Sequence, residues 1–150
     1  GQMNSMETKL FIKALNAGGL NTMRSLMIHT SGPSYYRGTN GESFLHLAVK
    51  AKKEESLKFF LTNWEDVDVQ DNNKKSPLHH ACQNGWLEGI ELLLDHGASP
   101  AVRSKTKKTA LHYTCQRSYP PDLPTQTLLL SLLPRLASSS PSPVGRWVNR

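Results

Sequence analysis

Six histidines and two cysteines are the residues of this 150-residue chain whose types could support acid–base, nucleophilic or metal chemistry. Two metal-binding histidines on one helix are normally four residues apart, whereas His79 and His80 are adjacent and their rings point to different faces. No serine–histidine–aspartate or cysteine–histidine set with a nucleophile context accompanies them, and Gly18-Gly19 is too isolated to form a phosphate loop. The sequence therefore predicts a chain that is not an enzyme and binds neither a cofactor nor a metal ion.

Three of the histidines recur at a fixed interval of 33 residues, each directly after a leucine. Their segments, 41–48, 74–81 and 107–114, align without a gap. The three pairs are Leu45-His46, Leu78-His79 and Leu111-His112. This period and core motif resemble the ankyrin-repeat family, strongly over roughly residues 38–117 and weakly on both flanks.

The resemblance implies an all-α fold, an ankyrin-repeat solenoid of stacked helix–turn–helix units joined by short β-hairpin-like loops, with about three clear repeats plus degenerate capping units. The repeated histidines would be structural and would bond backbone groups between adjacent turns. The expected divisions are 1–5 (a cloning scar or disordered start), 6–37 (a degenerate N-terminal unit and loop), 38–70, 71–103 and 104–136 (repeats, the last with a lengthened connection) and 137–150 (a Ser/Pro-rich flexible tail).

Capping residues place the first helix of each repeat. Ser43, Ser76 and Thr109 each stand where a hydroxyl can accept from unpaired N–H groups at the start of a helix. Pro77 suits the first helical position, because its missing N–H costs nothing there. Ala48 and Ala81 share a face with the repeated leucines, and their small side chains would let neighbouring helices approach closely.

Glycine is expected where a helix ends in the left-handed region, and Gly85 and Gly97 suit such ends. The resemblance implies glycine at four further turn positions where this chain has another residue. These residues are Lys52, Trp64, Lys74 and Lys107. If their backbones have positive φ, each costs on the order of 1 kcal/mol, so the sequence predicts distorted or more mobile turns there.

The N-terminal flank predicts two helices. The first would span residues 6–17 and end at Gly18-Gly19, and the second would be capped by Asn21 and run to about His29. A long loop would follow over residues 31–39, with Tyr35 and Tyr36 near its tip. The inward residues would be Leu10, Ile12, Ala14 and Leu15 in the first helix and Met23, Leu26 and Met27 in the second.

At the C-terminal flank, Thr125 would begin a last helix that stops before Pro134. Residues 137–145 contain only Ala, Ser, Pro, Val and Gly, a composition that predicts a disordered tether. The Ser-Pro pairs at 140–143 would be an inert linker or proline-directed phosphorylation sites. Trp147 would be a short binding motif or would pack on the last repeat, and both alternatives stay open.

The cysteines, Cys82 and Cys115, stand at equivalent positions in neighbouring repeats, whose helices would lie roughly 8–10 Å apart and so too far for a disulfide. We therefore expect two free, largely buried thiols. Two cysteines, no secretory signal and no apolar run of roughly 18 residues favour an intracellular protein, cytoplasmic or nuclear, with no membrane span.

The net charge of +6 favours acidic protein surfaces, nucleic acid or anionic lipid as partners. The resemblance implies binding on a concave face formed by the hairpin tips and the exposed sides of the first helices. The residues that map there are Lys50, Asn72, Asn73, Lys75, Gln83, Asn84, Trp86, Arg103, Lys105, Lys108, Gln116 and Arg117. Trp86 would be an exposed anchor or would pack between loops.

The sequence thus favours an adaptor, scaffold or inhibitor that holds another protein by an acidic or phosphorylated segment. Direct binding of nucleic acid or anionic lipid through the basic residues is a less favoured interpretation. A third is that the chain is the targeting domain of a larger enzyme. The sequence does not indicate the oligomeric state.

Overall fold

The computed structural model describes residues 4–29, 36–63, 66–118 and 120–139. Within these ranges the chain forms eight helices and no strand. The helices are α1 Ser5–Ala17, α2 Leu20–His29, α3 Phe44–Lys50, α4 Glu54–Asn63, α5 Pro77–Asn84, α6 Leu87–Asp95, α7 Ala110–Cys115 and α8 Leu123–Ser139.

Consecutive helices pair, and the pairs stack in chain order. α1 packs on α2, α3 on α4, α5 on α6 and α7 on α8, while the first helices contact one another in the order α1, α3, α5, α7. The second helices contact in the order α2, α4, α6, α8. The structure is therefore a two-layer stack of four helix–turn–helix units, which confirms the all-α repeat architecture expected from the sequence.

The first helices of the three repeats that follow the N-terminal unit begin with the same cap. The residues before α3, α5 and α7 are Ser43, Ser76 and Thr109, all in extended conformation. In each case the backbone N–H of the cap residue donates to Nδ1 of the histidine three residues later, at 3.0, 2.8 and 3.1 Å. All three predicted residues take the cap position, and the expected bond from the His46 amide to the Ser43 hydroxyl is found at 3.3 Å. The histidine acts as the returning side chain of a capping box.

Hydrogen-bonded turns, which are the expected hairpin-like loops, precede these helices. Each turn is closed by an amide that donates to the carbonyl four residues on, at 2.8 to 3.0 Å. The donor and acceptor pairs are Gly38 and Glu42, Asp71 and Lys75, and Ser104 and Lys108. Neighbouring turns are also joined, since the Asn72 amide donates to the Asn40 carbonyl at 2.9 Å and that of Lys105 to Asn73 at 2.8 Å.

Three lysines occupy left-handed backbone positions, as the sequence predicted. Lys74 and Lys107 have φ of 57° and 66°, close to the 74° of Gly41 at the same position of the first turn, and Lys52 has φ of 53°. The expected distortion is not found, because the closing hydrogen bonds are the same in all three turns. The turns that contain Lys74 and Lys107 keep the regular hydrogen bonds. The free-energy cost of positive φ therefore falls on the lysine backbones themselves. Trp64 lies outside the described residues.

Replacing Lys74 with glycine is expected to raise the free energy of unfolding by about 1 kcal/mol, because glycine adopts positive φ without the Cβ clash. Urea denaturation of the variant and the parent chain measures the difference. The matched control is Lys74→Ala, which removes the same charge but keeps a Cβ. A gain of similar size in the alanine variant would assign the effect to charge and contradict the backbone explanation.

The core runs continuously through the stack. At its N-terminal end, the rings of Phe11, Phe44 and Phe60 are fully buried and stack on one another. Tyr36 covers Phe44 at a centroid distance of 4.2 Å, so the end of the predicted 31–39 loop packs on the core. Leu45, Leu78, Ala48 and Ala81 are buried as expected, whereas Leu111 is only half-buried.

Two predictions for the N-terminal unit are wrong. Leu10 is 46% exposed, and Phe11 is buried in its place beside Ala14 and Leu15. The inward face of α1 is therefore centred one residue later than the leucine pattern suggested. Asn21 lies inside α2, which begins at Leu20, so Asn21 is not its cap. Met23 is fully buried, whereas Ile12, Leu26 and Met27 are half-buried.

The last helix is longer than predicted at both ends. α8 begins at Leu123, because the Asp122 carboxylate accepts from the Thr125 amide at 2.8 Å and caps the helix before Thr125. Pro134 lies inside the helix on its exposed side instead of ending it. α8 continues to Ser139, so residues 137–139 are helical, contrary to the expected tether. Residues 140–150, with the Ser-Pro pairs and Trp147, lie outside the described residues.

Candidate partner-binding face

Two of the repeated histidines join neighbouring repeats. Nε2 of His46 donates to the Lys75 carbonyl at 2.8 Å, and Nε2 of His79 to the Val102 carbonyl at 2.9 Å. Because Nδ1 of each ring accepts from its own cap residue, the neutral ring bridges one repeat to the next, His46 at the hairpin turn and His79 two residues before it. The structural role expected for these two histidines is confirmed by their contacts.

His112 departs from the expected role. Its Nδ1 accepts from the Thr109 amide as in the other repeats, but its ring is exposed. In the described part of the chain no backbone carbonyl accepts from its Nε2, because the stack ends at this repeat. The prediction that all three histidines bond between adjacent turns is therefore wrong for His112.

His46, His80 and Asp71 form a cluster that the sequence analysis missed. One potential ligand atom of each lies within 4.8 Å of the others. Nε2 of His80 donates to Oδ2 of Asp71 at 2.9 Å, while the amides of Asn73 and Lys75 donate to Oδ1. Both ring nitrogens of His46 are also engaged. A metal ion would have to displace these bonds, so the geometry supports a hydrogen-bonded junction better than a metal centre.

Burial sets the ionisation of this junction. Desolvation lowers the pKa of His46 to about 4 and lowers the pKa of His79 and His80, despite the carbonyl and carboxylate that would favour protonation. Burial alone would raise the pKa of Asp71, but hydrogen bonds from His80, Lys75 and Asn73 outweigh it and hold the pKa below its usual range. At neutral pH the histidines are therefore neutral and Asp71 is ionised.

The two cysteines differ in exposure, contrary to the expectation of two buried thiols. Both are free. Cys82 is fully buried, and desolvation raises its pKa to about 11, so the thiol is unreactive at neutral pH. Cys115 is exposed, because it lies on α7, and no further helix pair among the described residues covers the surface equivalent to that of Cys82.

Trp86 is not an exposed anchor. Its side chain is 8% exposed, and its ring lies directly on Gly89, where any Cβ would collide with it. The residue precedes α6 and folds back over the first turn of that helix. Of the two predicted roles, packing is the one that the structure supports, and Trp86 is removed from the set of partner-binding residues.

The basic residues fall into two groups. In the first repeat, Lys50 forms a 2.6 Å ion pair with the largely buried carboxylate of Glu42 and is thereby neutralised. On this face of the second and third repeats, seven basic side chains form no ion pair among the described residues, whereas Arg135 on α8 pairs with Asp95 at 2.6 Å. The seven are Lys74, Lys75, Arg103, Lys105, Lys107, Lys108 and Arg117. The positive charge is therefore concentrated at the C-terminal half of the face.

Gln83 holds two of these cations in place. Lys75 Nζ donates to its Oε1 at 3.2 Å and lies 5.0 Å from the centre of the Tyr113 ring. Arg117 donates to the Gln83 carbonyl at 3.0 Å, with its guanidinium packed over Gly85. Lys75 and Arg117, which belong to different repeats, thus lie on either side of one residue. The sequence did not indicate Tyr113 as part of this face, because the residue that follows the motif histidine differs in each repeat.

The remaining predicted residues lie on the hairpin turns and the exposed sides of the first helices. Asn72, Asn73, Arg103 and Lys105 are exposed on the turns, and Lys108 is half-buried. Gln116, the residue directly after α7, is exposed. Asn84, the last residue of α5, is half-buried. No helix among the described residues is long and apolar enough to cross a membrane.

A family model described as "Ankyrin repeats (3 copies)" matches residues 45–123, which is more than half of the chain. The matched range begins at the first leucine of the repeated motif and ends at the first residue of α8. No curated protein sequence matches the chain at a significant level.

Proposed function

Because this chain belongs to the ankyrin-repeat family, whose repeats are generally protein–protein interaction modules, we propose that it binds another protein through its concave face. The bound segment is acidic or phosphorylated, and the chain serves as an adaptor, scaffold or inhibitor in the cytoplasm or nucleus. Any catalytic activity of the resulting complex would then belong to the partner protein.

One observation carries the proposal: seven cations on this face of the second and third repeats form no ion pair in the part of the chain that the structure describes, whereas Lys50 on the first repeat is paired with Glu42. An acidic segment would supply the missing counter-charges. Its acidic residues would lie over the C-terminal half of the face, because Glu42 disfavours them at the other end.

Two of the cations are already positioned for this contact. Lys75 is held by Gln83 and Tyr113, and Arg117 by the Gln83 carbonyl. Each uses one donor in these contacts and keeps others for a carboxylate or phosphate. Side chains that are fixed before binding lose less conformational entropy when the partner arrives, which favours affinity. Lys105 and Lys108 extend the same charge onto the hairpin turn.

Nucleic acid is a poorer fit to this face. Proteins that bind single strands usually combine a basic groove with exposed aromatic rings on which bases stack. Trp86 and Tyr113, the aromatic residues nearest the cations in the described part of the chain, are 8% and 7% exposed. They therefore offer no stacking surface, and the face favours an acidic peptide over an oligonucleotide.

The test is binding of a fluorescent peptide of alternating glutamate and serine, with and without phosphate on the serines. The double variant Lys105→Glu/Lys108→Glu is expected to bind roughly tenfold more weakly, with slower association and a steep dependence on salt. Anisotropy and stopped-flow titrations at several salt concentrations measure both effects.

The matched control is Lys9→Glu/Lys13→Glu, which makes the same charge change on exposed residues of α1. This control is expected to keep the parent affinity at moderate salt, because a specific face depends on position and not on net charge. Equal loss in both double variants would show non-specific attraction and would overturn the proposal. Tighter binding of a random oligonucleotide than of either peptide would support the nucleic-acid alternative instead.

A further inference from the structure

Thr106 lies at the tip of the third hairpin turn and is exposed. The turn is closed by the Ser104 amide, which donates to the Lys108 carbonyl at 2.9 Å. Asn40 and Asn73 occupy the same position in the two preceding turns. The third turn therefore presents a hydroxyl at a position where the other two turns have an amide side chain.

The hydrogen bonds of this turn leave the Thr106 hydroxyl available. The Ser104 hydroxyl accepts from the Tyr113 hydroxyl at 2.9 Å and from the Lys108 amide at 3.3 Å, which uses both of its lone pairs. Its own proton is therefore directed at Thr106 Oγ1, 3.1 Å away. Thr106 is the acceptor in that bond, so its own O–H is not used by any partner in the described part of the chain.

The two neighbouring hydroxyls are less accessible. Ser104 is 3% exposed, and Thr109 is half-buried, with its hydroxyl 2.9 Å from Nδ1 of His112. Modification of either would break a bond that closes the turn or caps α7. Of the three hydroxyls in residues 103–109, Thr106 is therefore the one that an enzyme can reach while those bonds stay intact.

Four cations lie within three residues of Thr106. They are Arg103, Lys105, Lys107 and Lys108, and none of them forms an ion pair among the described residues. Protein kinases select their substrates in part by the charges that flank the hydroxyl. An arginine three residues before the hydroxyl and a lysine directly before it suit a basophilic kinase, whose substrate groove is acidic.

We propose that Thr106 is a phosphorylation site for a basophilic serine/threonine kinase, and that its phosphate closes the concave face to acidic segments. In the reaction the Thr106 oxygen forms a bond to the γ-phosphorus of a nucleoside triphosphate, and the bond from that phosphorus to the departing nucleoside diphosphate breaks. The hydroxyl proton passes to the catalytic base of the kinase. The closure, unlike the site itself, rests on the proposed function, since it requires a face that binds acidic segments.

The phosphate would act as a tethered competitor of the partner. It carries a charge of about −2 near neutral pH and three acceptor oxygens, which is the same chemistry as that of the proposed ligand. Arg103, Lys105 and Lys107 lie within three residues of it and can pair with it directly. Because a group on the same turn has a high effective concentration, an incoming acidic segment must displace it and is also repelled by it.

Phosphorylation of the folded full chain tests the site. The chain is incubated with ATP, Mg²⁺ and a purified kinase that prefers arginine three residues before the hydroxyl, and mass spectrometry of its peptides locates the phosphate. We expect a phosphate on Thr106, its loss in Thr106→Val, and roughly tenfold slower transfer in Arg103→Ala, because one charge-assisted contact to the kinase is removed. An acidophilic kinase is the control and should leave Thr106 unmodified.

Binding of the unphosphorylated glutamate–serine peptide, measured after removal of the kinase, tests the closure. The chain phosphorylated at Thr106 is expected to bind roughly tenfold more weakly than the unmodified chain at moderate salt, and the difference should shrink as salt is raised. Thr106→Glu supplies a single negative charge and should lose less affinity. Thr39→Glu is the matched control, because it makes the same change at an exposed threonine of the first hairpin turn, two turns away. It should keep the parent affinity.

The outcomes separate the site from the closure. A folded chain that stays unmodified at Thr106 would overturn the site, even if a free peptide of residues 100–110 is modified. Equal affinity before and after phosphorylation, in a chain that binds the peptide, would overturn the closure. If the unmodified chain does not bind the peptide at all, the proposed function fails and the closure with it, whereas a phosphate found on Thr106 still supports the site.

Discussion

Truncation of Phe44 to alanine is expected to lower the free energy of unfolding by about 3–5 kcal/mol, the largest effect we expect of any single substitution. The ring is fully buried and stacks on Phe11, Tyr36 and Phe60 at centroid distances of 4.6, 4.2 and 5.9 Å. Its loss removes apolar contacts and leaves a cavity between the N-terminal unit and the first repeat. Chemical denaturation followed by circular dichroism measures the change.

Because the cavity lies between the N-terminal unit and the first repeat, Phe44→Ala should also change which part of the chain opens first. In a repeat stack each unit contacts only its neighbours, so loss of the α1–α3 contact should first release the N-terminal unit. Hydrogen exchange in Phe44→Ala is therefore expected to accelerate in α1 and α2 while α5 and α6 remain protected. The acidic peptide should still bind, because the unpaired cations lie on the second and third repeats, outside the unit that is released.

Phe44→Leu is the matched variant, since it keeps most of the buried volume and removes only the aromatic ring. It is expected to cost about 1 kcal/mol. If Phe44→Ala costs less than that amount, or if exchange accelerates uniformly along the chain, the N-terminal unit does not depend on this ring as we infer.

The local rules that act within one repeat could be predicted from the sequence. The caps at Ser43, Ser76 and Thr109 and the left-handed lysines depend on residues at most four positions apart, and the 33-residue period repeats them. The predicted contacts of His46 and His79 are also found, because each has a following repeat whose turn supplies a carbonyl.

The errors occur where a neighbour in space decides the outcome. His112 and Cys115 have the same local sequence context as their buried equivalents, and only the end of the stack exposes them. Leu10 was favoured over Phe11 by its leucine pattern, but the aromatic rings on α3 and α4 select the residue that faces them. α8 extends past its predicted C-terminal end because Pro134 lies on its exposed side, where a missing N–H causes less disruption.

The candidate site was only partly predictable for the same reason. The basic residues were found from composition and motif position, but their partners lie 8 to 38 residues away, as with Lys50 and Glu42 or Lys75 and Tyr113. Trp86 could have been assigned from a local signal, since Gly89 three residues later leaves room for a large ring on the first turn of α6. Sequence alone could not show which cations are neutralised.

Acidification from pH 6.5 to pH 4 is expected to remove about 3 kcal/mol of stability through His46 alone. The pKa of His46 in the folded chain is about 4, whereas the ordinary value, which applies to the unfolded chain, is 6.5. Between these values the unfolded chain binds the proton and the folded chain does not. The contribution is therefore complete above pH 6.5 and is lost as the pH falls towards 4.

Neighbouring groups add to this dependence without changing its sign. Burial also lowers the pKa of His79 and His80, so each contributes stability that is lost below the ordinary value of 6.5. Asp71 has a pKa below its ordinary value of 3.8, so its contribution is lost only when the pH falls below that value. The three histidines therefore dominate from pH 6.5 to 4, and the carboxylate acts at lower pH.

The measurement is urea denaturation at half-unit steps from pH 7.5 to pH 4.5, chosen to avoid titrating Asp71. His46→Gln removes the titrating ring but keeps an amide that can donate to the Lys75 carbonyl, so its stability should be lower at pH 7.5 and should fall less steeply with acid. His112→Gln is the matched control, because it changes the same motif position where the ring is exposed. Its slope should equal that of the parent chain. Equal slopes in all three proteins would show that the buried junction between repeats does not take up the proton on unfolding, and that the acid sensitivity comes from elsewhere.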